Sequence, residues 1–301
     1  DDVLSVARHC DDTGWDGIWV ADHFMGDGAG FGEADSPTLE ATAVLSALAV
    51  STHRLRLGPL VLGATYRHPA VLAKWAVTTD LISAATSSAS AGRLVLGLGA
   101  GWQQNEHEQY GIELPTVRDR VSRFREYCHV ITSLLGTTPA TFDGDWFHLR
   151  DALCEPKPRR SPERPGGIPI MIGGKGDRML RIVARYGDEW NMWGLPERIA
   201  ERSTALDRAC EALGRDPSMV ARSAQALLLP TTDSALARRF VESVAPRAAI
   251  AGPIEMIGET VGRWADVGVA EVIVPDSPLG RGAQRTEHLD ALAEVFAPYR
   301  R

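Results

Sequence analysis

The sequence predicts an α/β fold in which parallel strands alternate with helices, and we expect a (β/α)8 TIM barrel. Short β-branched or leucine-rich runs alternate with amphipathic segments along all 301 residues. Nearly every predicted strand is apolar on both faces, which is typical of parallel strands. An open doubly wound sheet is the competing fold, but no early strand carries a dinucleotide-binding fingerprint. We therefore expect a single barrel domain over residues 1–301.

The first half of the chain contains three predicted strands, and each is followed by a segment with helical spacing. Ser36 stands at an expected N-cap, with Pro37 in the first turn of the helix that follows. A serine-rich stretch at 83–90 is expected to be an insertion. The predicted strands are Gly17–Val20, 55–62 and 94–98, and the predicted helices are 3–13, 37–50, 69–82 and 117–135.

The second half continues the alternation with four further strands. An Asp-Gly turn between aromatic residues predicts a small insertion hairpin at 142–147, and the Pro/Arg/Gly-rich residues 156–169 predict an extended linker. The seven predicted strands are one fewer than a barrel needs, and the chain starts inside a predicted helix, so we expect the first strand to be missing from this chain. The predicted strands are 168–172, 189–192, 221–229 and 271–274, and the predicted helices are Asp177–Tyr186, 196–213, 233–244, 253–265 and 286–296.

Composition and charge argue against several classes of partner. The chain has 32 Lys and Arg against 39 Asp and Glu, and a net charge of −7 disfavours nucleic acid or an anionic membrane. No apolar run reaches the roughly 18 residues of a membrane span, and the start shows no signal-peptide pattern. The four cysteines lie far apart without metal-ligand spacing, so we expect a reduced, cytoplasmic protein without a metal site.

In a barrel the functional residues lie at the carboxyl ends of the strands. In this sequence these ends are poor in acids and bases, rich in glycine and edged with tryptophan. They contain no serine-hydrolase or zinc-protease motif. A glycine-lined, aromatic-edged cavity of this kind favours a large flat cofactor.

Two glycine-rich turns follow predicted strands. Residues 97–101 do not complete a GxGxxG motif, because Trp102 stands at the third glycine position; they fit either a strand end that a ring approaches closely or a tight turn. The turn of Gly173, Gly174, Lys175 and Gly176 leads into a predicted helix. Its backbone N–H groups and the helix dipole favour an anion site, most simply for phosphate, although a plain turn remains the alternative.

Three titratable residues near strand ends are candidates for proton transfer. His23 follows the first predicted strand, and Asp22 is placed either to orient its ring or to cap a turn. Glu106 lies on a short predicted helix, where it is either a reserve proton donor or part of a solvated face. Arg67 and His68 are expected to cap the helix that follows them, or to hold a polar group of a ligand.

Several segments, in this order along the chain, resemble the luciferase-like monooxygenase superfamily, in its branch of coenzyme F420-dependent oxidoreductases. The resemblance covers nearly the whole chain, from about Gly14 to Asp276. The segments that carry it are 16–24, 57–61 with 66–70, 92–102, 168–174 and 184–191.

This resemblance implies a barrel, usually a homodimer, with a deazaflavin or flavin ring at the strand ends. It implies a non-prolyl cis peptide at Leu60-Val61 behind the ring, and a place for His23 beside ring and substrate. In the sugar-phosphate dehydrogenase branch a catalytic glutamate stands where this chain has Trp102, which speaks against that substrate. The implied cofactor-binding residues are Leu60, Val61, Gly99, Ala100, Trp102, Gly173, Gly174, Lys175, Gly176 and Asn191.

The predicted function is that of an F420-dependent oxidoreductase that moves a hydride between the deazaflavin and a small organic substrate. His23 is the predicted proton donor or acceptor, Asp22 its orienting partner, and Glu106 the reserve. An FMN-dependent monooxygenase on the same barrel is the alternative, and a non-catalytic flavin-binding barrel is a further one.

Overall fold

The computed structural model of the chain describes residues 2–28, 32–88, 91–137, 139–159 and 166–300. Its packing divides the chain into two compact units. The N-terminal unit comprises residues 16–173 and 185–188, and the C-terminal unit comprises residues 2–15, 174–184 and 189–300. Parts of the predicted serine-rich insertion (89–90) and of the predicted linker (160–165) lie outside the described residues.

Helices and strands alternate along most of the chain. In order they are α1 (Asp2–Asp12), β1 (Gly17–Val20), α2 (Ala41–Ser51), β2 (Arg56–Pro59), β3 (Leu62–Gly63), α3 (Pro69–Thr86), β4 (Leu96–Gly99), α4 (Gln104–Tyr110), α5 (Val117–Leu135), β5 (Ala140–Asp143), β6 (His148–Ala152), β7 (Ile170–Gly173), α6 (Asp177–Tyr186), β8 (Glu189–Trp193), α7 (Pro196–Glu211), β9 (Ala221–Gln225), β10 (Leu227–Pro230), α8 (Ser234–Val244), β11 (Ala249–Gly252), α9 (Ile254–Asp266), β12 (Glu271–Ile273) and α10 (Ala283–Phe296). Among the described residues no strand precedes β1.

The strands of the N-terminal unit are parallel, apart from one hairpin. Strand β1 pairs with β2, with Gly17 opposite Arg56, and β4 pairs with both β3 and β7. An isolated bridge between Leu57 and Leu94 connects β2 to the residues that lead into β4. Strands β5 and β6 form the antiparallel hairpin predicted from the Asp-Gly turn. The carboxyl ends of β1, β3, β4 and β7 therefore point the same way within this unit.

In the C-terminal unit, β9 lies between β8 and β12 in parallel pairing, and β10 pairs in parallel with β11. Strand β11 was not predicted: Ala249–Gly252 is a run of only four apolar residues, too short to show a period. The indoles of Trp190 and Trp264 are completely buried, and each donates a hydrogen bond to a glycine carbonyl. This satisfies the one polar atom of each large apolar side chain.

The predicted start of one helix, the predicted end of another and one undivided strand in the N-terminal unit were wrong. Helix α2 begins at Ala41 with Glu40 as its N-cap, because the carboxylate of Glu40 accepts the N–H of Ala43 at 2.7 Å; the expected cap, Ser36, lies outside the helix. The predicted strand 55–62 is divided into β2 and β3 at Leu60 and Val61. Helix α3 continues to Thr86, into the predicted insertion, because Ser83 is buried there and bonded to the backbone.

Candidate functional site

His23 and Glu106 form a hydrogen-bonded pair in the N-terminal unit. His23 lies just beyond the end of β1, and its Nδ1 lies 2.8 Å from Oε1 of Glu106 on helix α4. The hydroxyl of Tyr66 donates to the same oxygen, and the N–H of Phe24 donates to Oε2 at 2.8 Å. The side chain of Glu106 is completely buried, whereas 19% of the His23 side chain is exposed. The buried carboxylate therefore accepts three hydrogen bonds and lies behind a partly accessible imidazole.

Glu106 is ionised at neutral pH. Burial alone would raise its pKa, but the hydrogen bonds from His23, Tyr66 and the Phe24 N–H outweigh burial, and the pKa lies below the ordinary value of 4.5. Burial and the neighbouring Glu106 raise the pKa of Tyr66, so that its phenol keeps its proton and remains a donor. An ionised carboxylate only accepts hydrogen bonds, so the proton of the His23–Glu106 contact belongs to Nδ1 of His23.

Asp22 does not take the predicted role of orienting His23. Its carboxylate accepts two hydrogen bonds from the guanidinium of Arg67, at 2.7 and 2.9 Å, and one from the N–H of Gly63 at 2.9 Å. Asp22 and His23 are adjacent in the chain but contact different neighbours. The second guanidinium contact of Arg67 is with Glu40, the N-cap of α2. Asp22 therefore anchors the loop after β3, and Glu106 orients His23.

Polar side chains of α4 and the residues before it hold this short helix against the segment after β1. Gln103 donates to the carbonyl of Met25 at 3.0 Å, and Asn105 donates to that of Gly26 at 2.8 Å. His107 is buried, with Nε2 2.8 Å from the hydroxyl of Thr65. These bonds fix the direction in which Glu106 projects. No local sequence pattern predicts this anchoring, because the acceptors of Gln103 and Asn105 are backbone carbonyls about 80 residues away in the chain.

Aromatic rings surround the pair. The ring of Trp102, which is 49% exposed, meets the His23 imidazole edge-on at a centroid distance of 5.4 Å. Phe24 lies between Tyr66 and Tyr110, at 4.8 and 4.9 Å. His68 caps α3 through its Nδ1, as predicted, whereas Arg67 binds Asp22. The roles of Tyr66 and Arg67 in bonding buried carboxylates were therefore not predicted, since the sequence pattern indicated only helix capping or a ligand for that segment.

The Leu60-Val61 peptide bond is cis, as predicted. The Val61 side chain rests on glycines: a Cβ added to Gly99 would lie 2.7 Å from its Cγ2, and one added to Gly173 would lie 3.0 Å from it. A Cβ at Gly97 would lie 2.0 Å from the carbonyl oxygen of Pro59. These close contacts within the chain account for Gly97, Gly99 and Gly173; the sequence had left open a close approach of a ring or a tight turn for 97–101. Leu60, Val61 and Ala100 are half-buried.

The remaining predicted residues lie in the C-terminal unit. The N–H of Gly174 donates to the carbonyl of Asn191 at 3.1 Å, and the Trp190 indole donates to the carbonyl of Gly174 at 2.7 Å. The N–H of Gly174 is therefore bonded within the chain, and phosphate binding by this turn stays a prediction. Lys175 and Gly176 are exposed at the start of α6. Asn191 is buried, and its amide donates to the Ser223 hydroxyl at 2.9 Å, which is a structural contact.

The structure thus brings His23, Glu106 and Trp102 together in the N-terminal unit, with Tyr66 added. Gly174, Lys175, Gly176 and Asn191 belong to the C-terminal unit. Across the described part of the chain no group of three His, Cys, Asp or Glu side chains is arranged to hold a metal ion. Nor does any helix in those residues have the length and apolarity to cross a membrane.

Comparison with known proteins agrees with this architecture. A curated relative, the F420-dependent glucose-6-phosphate dehydrogenase of Amycolatopsis mediterranei (strain U-32), is 33% identical over 188 residues, which are 62% of this chain and 51% of that protein. The 4-hydroxyprotoasukamycin monooxygenase of Streptomyces nodosus subsp. asukaensis is 31% identical over 216 residues, 69% of this chain and 53% of that protein. The match therefore spans about half the length of these two relatives.

A solved structure of an F420-dependent secondary alcohol dehydrogenase, in complex with an F420-acetone adduct, superimposes with a TM-score of 0.82 at 20% identity. The alignment covers 99% of this chain and 94% of that protein, which confirms the predicted fold class, the luciferase-like (β/α)8 barrel. The family model for luciferase-like monooxygenases matches residues 1–295. The chain therefore belongs to the luciferase-like monooxygenase family.

Proposed function

We propose that this protein is an oxidoreductase that uses coenzyme F420 and moves a hydride between the cofactor and a small alcohol or the corresponding carbonyl compound. The observation that carries the proposal is the His23–Glu106 pair: a partly exposed imidazole held by a buried, ionised carboxylate. An alcohol loses a proton when it loses a hydride, and a carbonyl gains one, so this reaction needs a group that exchanges a proton near neutral pH. The similarity to an F420-dependent dehydrogenase supports the choice of cofactor.

The residues around the pair fit a flat, largely apolar ring. Val61 is half-buried, and Cβ atoms added to Gly99 and Gly173 would lie 2.7 and 3.0 Å from its Cγ2, so it offers a closely supported apolar surface. Trp102 adds an exposed aromatic surface next to His23. When bound, the deazaflavin supplies a ring carbon that accepts or gives a hydride, and the protein supplies binding, orientation and the proton.

The chemical role of His23 follows from its tautomer. With the proton on Nδ1 directed at Glu106, the neutral ring has its lone pair on Nε2, which accepts the hydroxyl proton of an alcohol. The resulting imidazolium is stabilised by the negative charge of Glu106, 2.8 Å from Nδ1. In the reverse direction the same Nε2–H returns the proton to the carbonyl oxygen. General acid–base assistance of this kind contributes about 10²–10⁴ in rate.

An FMN-dependent monooxygenase is the second candidate. The relative named 4-hydroxyprotoasukamycin monooxygenase favours it, because the two relatives described above have similar identity to this chain but are named for different chemistries. The two proposals differ in cofactor, and cofactor binding therefore separates them.

The test begins with titration of the purified protein with F420 and, separately, with FMN, followed by fluorescence. Turnover is then measured with oxidised F420 on a panel of small alcohols and with reduced F420 on the matching carbonyl compounds. We expect binding of F420 and turnover with at least one substrate pair. Binding of FMN alone would replace the proposal with the monooxygenase, and binding of F420 without turnover on any substrate would favour a non-catalytic barrel.

His23→Ala tests the proton role directly. We expect the dissociation constant of F420 to stay within about threefold while turnover falls about 10²-fold. His148→Ala is the matched control, since His148 also pairs with a carboxylate, Asp143, at 2.7 Å, but on the exposed hairpin. Normal turnover by His23→Ala would refute the assignment of His23 as the proton-transfer residue.

A further inference from the structure

We propose that Glu106, supported by Tyr66, is the positioning residue that fixes the tautomer of His23, so that the ring presents Nε2 as its proton-accepting atom. This inference deepens the proposed function and rests on it for its catalytic consequence. The tautomer itself is a property of the protein alone, and it can be measured without cofactor or substrate.

Three donors surround the carboxylate of Glu106. Oε1 of Glu106 accepts from Nδ1 of His23 and from the Tyr66 hydroxyl, and Oε2 accepts from the N–H of Phe24. Since Glu106 is buried, water does not replace these donors. The backbone N–H of Phe24 can only donate, and it holds Oε2 of Glu106. The other oxygen of the carboxylate, Oε1, therefore faces His23.

Tyr66 supports the position of the Glu106 carboxylate. Its ring packs against Phe24 and His107, each at 4.8 Å, and a Cβ at Gly63 would lie 2.7 Å from its ring carbons. The ring therefore has little freedom to move, and its hydroxyl is directed at Glu106. This hydroxyl holds Oε1 in the position in which it also accepts the proton of His23.

The charged and titratable groups around the pair come from three elements. His23 and Asp22 follow β1, Tyr66 and Arg67 follow β3, and His107 lies next to Glu106 on α4. The charge of Asp22 is compensated by Arg67 through two hydrogen bonds, and His107 is bonded at both ring nitrogens. Glu106 thus presents an uncompensated carboxylate to Nδ1 of the His23 ring.

Glu106→Gln is the decisive variant, because an amide has one accepting oxygen and one donating nitrogen. The Phe24 N–H needs an acceptor, so the amide oxygen turns towards it and the NH₂ group faces Nδ1 of His23. A donor at that position forces the neutral ring into the other tautomer, with the proton on Nε2. Tyr66 can rotate its hydroxyl so that its oxygen accepts the second N–H of the NH₂ group.

The tautomer is measured by two-dimensional NMR on protein labelled with ¹⁵N-histidine, in the absence of cofactor and at a pH where the ring is neutral; His23→Ala identifies the signal. We expect the Nδ1–H form in the wild type and in Tyr66→Phe, and the Nε2–H form in Glu106→Gln. Glu126→Gln is the matched control. Glu126 is 5% exposed and accepts the N–H groups of Asp145 and Trp146, at 3.1 and 3.0 Å.

Kinetics measure the consequence. In Glu106→Gln we expect kcat to fall about 10²-fold or more with the dissociation constant of F420 within about threefold, and in Tyr66→Phe we expect a loss below about tenfold. An unchanged Nδ1–H signal in Glu106→Gln would overturn the inference, and so would a switched tautomer with wild-type kcat. If the tautomer switches while the wild type neither binds nor reduces F420, the positioning role of Glu106 stands and the proposed function fails.

Discussion

The buried ion pair between Asp22 and Arg67 makes a strong prediction about stability. The side chain of Asp22 is 1% exposed and that of Arg67 is 17% exposed. Two guanidinium N–H groups bond the two carboxylate oxygens at 2.7 and 2.9 Å, and the Gly63 N–H adds a third bond at 2.9 Å. The substitution Arg67→Ala removes two of these three bonds and leaves a negative charge in the interior.

Breaking a buried ion pair by removing one partner costs about 3–5 kcal/mol, because the remaining charge is uncompensated. Arg67 is partly exposed, and the Gly63 N–H still compensates part of the Asp22 charge, so we expect a loss at the lower end, about 3 kcal/mol. The contact of Arg67 with Glu40 adds less than about 1 kcal/mol, since Glu40 is 41% exposed and still caps α2.

The assay is urea unfolding followed by tryptophan fluorescence. Because the chain has two compact units, each transition is fitted separately. Asp143→Ala is the control: it removes the 93% exposed partner of His148, and we expect a change of less than about 0.5 kcal/mol. The double variant Asp22→Asn with Arg67→Ala should be more stable than Arg67→Ala alone, because it removes the buried charge.

Two results would refute this reasoning. If Arg67→Ala costs no more than Asp143→Ala, Asp22 and Arg67 form a solvated pair of little energetic value. If Asp22→Asn gives no recovery in the double variant, the loss comes from the packing of the Arg67 side chain and not from the unpaired charge.

Substitutions at three other positions test the packing of Val61, the predicted phosphate site and the lowered pKa of Glu106. Gly99→Ala would place a Cβ 2.7 Å from Cγ2 of Val61, so we expect a loss of about 1–3 kcal/mol in urea unfolding, against little change in Gly176→Ala, where nothing lies within 4 Å. Gly176→Leu should raise the dissociation constant of F420 about tenfold in fluorescence titration if the exposed start of α6 binds phosphate, and an unchanged constant would remove this turn from the site. Folding lowers the pKa of Glu106, so the ionised carboxylate stabilises the folded state above pH 4.5, and this contribution is lost as the pH falls through the lower pKa of the folded state. The free energy of unfolding of the wild type should therefore exceed that of Glu106→Gln by less in acid than at neutral pH. A difference that does not change with pH would contradict the lowered pKa.

Local patterns in the sequence determined several elements to the residue. Strand β1 and helices α5 and α6 have the predicted bounds, because an apolar period and a nearby cap or turn residue define each of them within a few positions. The hairpin of β5 and β6 followed from its Asp-Gly turn for the same reason. The start of α2 was misplaced because Ser36 is a preferred N-cap residue and Glu40 is not, and only the folded chain shows that the Ala43 N–H bonds Glu40.

The sequence by itself determined that His23 lies at a strand end and that Glu106 lies on a short helix after another strand. It did not determine that the two side chains meet, because 83 residues separate them and no local pattern records such a distance. Proximity in the chain made Asp22 the expected partner of His23, but in the folded chain Asp22 binds Arg67. Only the tertiary structure decided the pairing, since the meeting of separate strand ends and the need to satisfy a buried carboxylate with three donors are properties of the packed chain.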